Sequence, residues 1–104
     1  MIENTIVQND NYDLSSFCFS RCGNIVSLSG TITPKKDNSS WTRILNYVPT
    51  PVNNGSNIFN SFNEPNIDKS ASIKLYVSLN GEGVYVRGGK TGLGIDFTFV
   101  YICI

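Results

Sequence analysis

The segment NIVSLSGTIT, residues 24–33, sets Val26, Leu28 and Ile32 on one side of an extended chain. Ser27, Ser29 and Thr31 fall on the other side, with Gly30 on the inward set. In SASIKLYVSL, residues 70–79, Ile73, Leu75, Val77 and Leu79 alternate in the same way with Ser72, Lys74, Tyr76 and Ser78. A period of two matches a strand, whose successive side chains face opposite ways, and not a helix, whose apolar positions recur every three or four residues. Both segments therefore read as half-buried strands. Composition agrees where it bears on this choice: the chain holds a single alanine, Ala71. Alanine is the strongest helix former, whereas the abundant Ile, Val and Thr suit strands, and Asn, Ser and Gly suit turns.

Further strands are expected over LSSFCFSR (14–21), WTRILN (41–46), NIFNSF (57–62), GVYVRG (83–88) and IDFTFVYICI (95–104). NTIVQ, near the start, reads as an added edge strand. The segments TPKKDNSS, VPTPVNNGS and NEPNIDKS between them carry the turn residues. Seven or eight short strands at this spacing point to an all-β, jelly-roll-like antiparallel β-sandwich. At 104 residues this is one domain, 1–104, with 1–13 a linker or edge strand. In KLYVSLNGEGVYVRG a turn at Gly81 and Glu82 would put Leu79 opposite Val84 and Val77 opposite Val86 on the core face. Tyr76 would then face Arg87, and Ser78 would face Tyr85, on the other side.

Eight basic and eight acidic residues give no net charge and no like-charge block, so neither nucleic acid nor an anionic membrane is an expected partner. No apolar run is long enough for a bilayer span, and MIENTIVQND lacks the regions of a secretory signal. Cys18, Cys22 and Cys103 are odd in number and no histidine accompanies them. They read as small buried thiols, with Cys18 and Cys22 on one strand face, and not as a disulfide framework or a zinc site. Asx-rich NDNYD (9–13) reads as a turn, so no metal and no cofactor is expected. The Asn38 and Asn54 sequons carry no weight in so Asn- and Ser-rich a chain.

VRGGKTGLGI (86–95) invites comparison with a phosphate-binding loop. Such a loop needs a glycine five positions before Gly89, where this chain has Val84, and a helix afterwards, where a strand is expected. The glycines are read as a turn joining the last two strands, some with positive φ. Catalysis is not expected either. Histidine, the commonest general base, is absent, and the acids Glu64, Asp68 and Glu82 are scattered in turns. Asp96 reads as a hydrogen-bonded carboxylate at the start of the last strand.

Four pieces, CGNIVSLSGTIT, WTRILNYVPTP, IKLYVSLNGEGVYV and FTFVYICI, taken in order, resemble the C-terminal receptor-binding or tip domains of bacteriophage tail-fibre and baseplate proteins. The resemblance covers roughly residues 14–104 through short elements. It departs at Tyr47-Val48-Pro49, where the family pattern has Leu-Pro-Gly, and in the Asn-rich stretch after Pro51. The resemblance implies a β-sandwich that forms a homotrimer at the tip of a fibre in the virion, contacts other tail or baseplate proteins, and attaches to a host cell-surface polysaccharide.

Four residues could carry such attachment. Trp41 is either a sugar-stacking platform or a strand-start side chain packed at the sandwich edge, alternating with Arg43 and Leu45 on one side. Tyr76, Tyr85 and Arg87 are either a saccharide or interface patch, or ordinary cross-strand packing with Arg87 over Tyr76. In the last strand Ile95, Phe97, Phe99, Tyr101 and Cys103 share one face, and Val100, Ile102 and Ile104 share the other. A strand apolar on both faces needs cover on both, from a partner subunit or from loops of its own chain. Two functions follow: a receptor-binding tip, or a structural trimerisation or capping module with no ligand. A monomeric carbohydrate-binding module is a third.

Overall fold

The computed structural model describes residues 5–63 and 72–104. The expectations placed on Glu64, Asp68 and Ala71 lie outside these. Eight antiparallel strands follow in order: β1 (Thr5–Ile6), β2 (Tyr12–Cys22), β3 (Ile25–Pro34), β4 (Thr42–Asn46), β5 (Ile58–Phe62), β6 (Ile73–Val77), β7 (Gly83–Gly88) and β8 (Ile95–Ile102). Seven of them have five residues or more, and β1 is a two-residue addition to an edge. Among the described residues there is no helix. One sheet has the order β2-β3-β8, and the other, a four-stranded sheet extended by β1, has the order β1-β4-β7-β6-β5. The chain is thus an all-β protein of two antiparallel sheets. Of residues 1–13, Thr5–Ile6 form the expected edge strand, whereas Tyr12 and Asp13 already belong to β2.

Alternation builds the layer between the sheets. Val26, Leu28 and Ile32 of β3 and Ile95, Phe97 and Phe99 of β8 meet Ile73, Leu75 and Val77 of β6 and Val84 and Val86 of β7, all buried. Each such side chain contributes roughly 1.5–3 kcal/mol relative to an exposed position. Two buried tyrosines keep their hydroxyls satisfied: Tyr12 donates to the Gly88 carbonyl at 2.8 Å and Tyr101 to the Pro49 carbonyl at 2.8 Å. Burial pushes the Tyr101 phenol far above its usual range and the Tyr12 phenol upward as well.

Two bulges alter the simple alternation. On β4 the register passes from Arg43↔Tyr85 to Leu45↔Val84, so Ile44 is the inserted residue. That insertion buries both Ile44 and Leu45 and leaves Arg43 outward. The expectation that Trp41, Arg43 and Leu45 share one side therefore fails at Leu45. On β2 the shift lies between Ser15 and Cys18, with Ser16 at a φ of 54°. It lets both Leu14 and Phe17 pack against the core.

The β6–β7 hairpin corrects the expected register. Val77 pairs with Val84, Tyr76 with Tyr85 and Lys74 with Arg87, a slip of two residues from the sequence-based pairing. An even slip keeps every strand residue on its expected face, where an odd one would have inverted them all. The turn is a four-residue loop, 79–82, closed by Ser78 N–H to the Gly83 carbonyl at 3.0 Å. Asn80 holds it, its side-chain oxygen accepting from Ser78 Oγ and from the Glu82 amide, both at 3.1 Å. Leu79, expected in the core, is 47% exposed as a result, and Ser78 is buried in its stead. Gly81 has a φ of 75°, and a Cβ there would run into the Val48 carbonyl. Only glycine lets the loop lie against the strand that leaves β4.

The cysteines need a second correction. Cys103 is buried as expected, but Cys18 and Cys22 are exposed. They do share a face, opposite Ser29 and Ile25 respectively, and that face is the outer side of the three-stranded sheet.

Candidate functional site

The outward positions of the larger sheet form continuous cross-strand rows. One row runs Phe59 (β5), Tyr76 (β6), Tyr85 (β7), Arg43 (β4). The next runs Ser61, Lys74, Arg87, and Trp41, just ahead of β4, comes in beside Arg87. All four sequence-predicted ligand residues, Trp41, Tyr76, Tyr85 and Arg87, are therefore together on one face.

Their rings touch. Tyr76 stacks on Tyr85 with centroids 4.7 Å apart and planes 13° from parallel. Trp41 meets Tyr76 edge-on at 4.7 Å, and Phe59 lies 5.2 Å from Tyr76 and 6.0 Å from Trp41. Such contacts fix ring orientation and contribute about 0.5–1.5 kcal/mol per pair. The Arg87 guanidinium carbon sits 4.8 Å above the Trp41 ring, not over Tyr76 as expected, because the register slip pairs Tyr76 with Tyr85. Arg43 is committed locally: it donates from Nε and Nη2 to the Tyr85 hydroxyl at 3.1 and 2.9 Å, and from Nη1 to Asn46 Oδ1 at 3.2 Å. The Tyr85 hydroxyl bond holds the Arg43 pKa above its usual value, and burial does the same for the Tyr76 phenol.

A depression of about 430 Å³ opens between Trp41, Phe59, Asn60, Ser61, Lys74 and Arg87. Phe59, 62% exposed, forms one accessible wall. A ring face beside hydroxyl, amide and cationic donors can stack on the C–H face of a flat ligand and hydrogen-bond its rim. Phe59 and Lys74 line this depression and were not selected by the sequence reading. The signal was present in the period of β5, where Phe59 falls on the outward side and Ile58 and Phe62 on the side packed against the core.

The outer side of β8 is different in kind. Val100, Ile102 and Ile104 are 59%, 60% and 77% exposed. Ile25, paired with Ile102, adds to them. Among the described residues, loops of the same chain leave these side chains exposed. Asp96, farther along this face, accepts from Thr31 Oγ1 at 2.6 Å, the hydrogen-bonded role expected of it. At the end of the sandwich a groove of about 590 Å³ runs between Arg21, Tyr47, Pro49, Asn80, Glu82 and Ile104.

The glycine-rich turn bonds mainly to its own protein. Gly88, Gly89 and Gly92 have positive φ, as expected of a turn. Their amides donate to the Asn38, Ser72 and Pro34 carbonyls, and the Thr91 amide and hydroxyl both donate to Asp37 Oδ1, at 3.1 and 2.9 Å. These amides, which a phosphate cradle would need free, are already bonded, and the strand β8 follows. Asn9 of NDNYD likewise accepts from the Asn11 and Tyr12 amides at 2.9 and 2.7 Å, a turn held by its own side chain.

Comparison with protein families, with curated proteins and with solved structures finds no match to this chain.

Proposed function

We propose that this chain is a receptor-binding tip domain of a bacteriophage tail fibre or baseplate, a non-enzymatic module that attaches to a host cell-surface polysaccharide. One observation carries the reading: Trp41, Tyr76 and Tyr85, singled out from the sequence, join with Phe59 in one ring cluster in which Tyr76 touches the other three, and Arg87 stacks on the indole. Saccharide rings present apolar C–H faces and hydroxyl rims, and a rigid ring cluster beside polar donors meets both at low entropic cost. The finer architecture in this proposal is a jelly-roll-like sandwich assembled as a homotrimer, with Val100, Ile102 and Ile104 turned toward sister subunits or toward other tail proteins in the virion.

That apolar strip also favours a second reading, a trimerisation or capping module with no ligand of its own. Adsorption of the purified domain to bacterial cells separates the two. The tip reading predicts binding that Trp41→Ala abolishes and that the free domain competes away. A folded trimer that adsorbs to no host cell overturns the tip and leaves the structural module.

A further inference from the structure

Lys74 and Arg87 are directly opposite each other on β6 and β7. Like charges in that position repel and weaken a sheet. The chain has eight acids for its eight bases. Yet no acid occupies an outward strand position of β4 to β7 among the described residues, while Arg43, Lys74 and Arg87 all do. Arg43 spends its donors on Tyr85 and Asn46. Arg87 has its flat side against Trp41 and makes no hydrogen bond to the protein among the described residues, and Lys74 makes neither hydrogen bond nor ion pair there. The two side chains also line both the 430 Å³ depression and a neighbouring one of about 200 Å³ that Asn38, Ser39 and Ser72 complete. Two cations with unused donors thus stand at the junction of two hollows, one walled by aromatic rings and the other by amide and hydroxyl groups.

We infer that this face takes an acidic saccharide, with the oxyanion of one sugar unit, a carboxylate or a phosphate ester, held between Lys74 and Arg87. The inference rests on the saccharide-binding reading of the same face and adds the charge of the ligand. An oxyanion there relieves the cross-strand repulsion and accepts charge-assisted hydrogen bonds from a guanidinium that the indole already orients. The sugar ring attached to it lies on Phe59 and Trp41, and the next unit reaches Ser39 and Ser72.

The test compares binding of the full chain to polygalacturonate, phosphorylated dextran and unmodified dextran by calorimetry, with inorganic polyphosphate as an anion without a sugar. At least one acidic polymer is expected to bind roughly tenfold more tightly than dextran, the range of a charge-assisted hydrogen bond. Which of the two does so distinguishes carboxylate from phosphate. Lys74→Gln with Arg87→Gln is expected to remove that preference, so that the acidic polymers bind no more tightly than dextran does to the same variant. Equal affinity for dextran and both acidic polymers overturns the inference while sparing the saccharide-binding reading. Polyphosphate binding as tightly as the acidic polymers, unchanged by Phe59→Ala, overturns it in favour of charge alone. Binding to none of the polymers also overturns it, and adsorption to bacterial cells by the same preparation decides separately whether the receptor-binding reading falls too.

Discussion

The two outward faces of this sandwich are built on the same alternation and reach opposite compositions. The larger sheet turns out rings and cations: Phe59, Trp41, Tyr76, Tyr85, Arg43, Lys74 and Arg87. The smaller sheet turns out Ser27, Ser29 and Thr31 over most of its width, and Ile25, Val100, Ile102 and Ile104 toward one end. Aliphatic side chains offer no directional bond, so the stable cover for them is a dry, shape-matched protein surface. Half-exposed rings among donors suit a ligand that keeps part of its water. Outward polarity alone does not separate the face proposed to bind from the face proposed to assemble; the kind of apolar group does.

The sharpest way to break this comparison is to exchange charge for apolar surface on the smaller sheet. Val100→Asp with Ile102→Asp is expected to convert the proposed trimer wholly to folded monomers in light scattering, because each aliphatic group that a subunit interface would bury contributes about 1.5–3 kcal/mol. The same pair is expected to leave the larger sheet's rings in place, seen as an unchanged Trp41 emission spectrum. An unchanged mass would remove the assembly role of that face.

Substitutions on the ring face sharpen the contrast from the other side. Trp41→Ala, which loses Tyr76, Phe59 and Arg87 at once, is expected to cost about 1–3 kcal/mol in denaturant unfolding along with saccharide binding. Phe59→Ala is expected to cost less, about 1 kcal/mol in the same unfolding experiment, since Phe59 is largely exposed and its contacts with Trp41 and Tyr76 count at the low end of their range, and still to lose most of the binding. Both variants should keep the oligomeric mass of the parent. A variant that lost binding only in proportion to lost stability would make the rings packing and nothing more.

The smallest effect expected is acidic. The Thr91 amide and hydroxyl bonds hold the Asp37 carboxyl below its ordinary 3.8. A depressed folded value means that the stabilisation is complete above pH 3.8 and is lost as pH falls from there through the lower folded value. Protection of the Thr91 amide proton, taken against its intrinsic exchange rate at each pH, is expected to fall in that acid window and, in Asp37→Asn, to be low at neutral pH as well. Equal protection in both proteins would mean that the carboxylate is not what holds the turn.

Much of this was legible in the sequence because alternation is a local property. The place of every strand, within about two residues at most ends, and the buried set of β3, β6 and β8 follow from reading single segments. What failed depended on backbone geometry that no side-chain period reports. The position of Leu79 turned on Gly81 and Asn80 favouring a four-residue loop over a two-residue turn. Leu45 was misplaced because the bulge at Ile44 changes parity within a five-residue strand. Cys18 and Cys22 were expected to be buried from residue type, yet their face lies outside the smaller sheet, which only the order β2-β3-β8 reveals. Phe59 entered the ring cluster through pairing between β5 and β6, a contact that neither strand announces alone.

Because Trp41 is the only tryptophan and sits inside the ring cluster, its fluorescence reports directly on the face proposed to bind. Titration of the purified domain with polysaccharide from cells to which it adsorbs is predicted to shift Trp41 emission saturably, at the same concentrations that block adsorption. Adsorption blocked by the polysaccharide with no change in Trp41 emission would place the ligand elsewhere on the molecule and contradict the account.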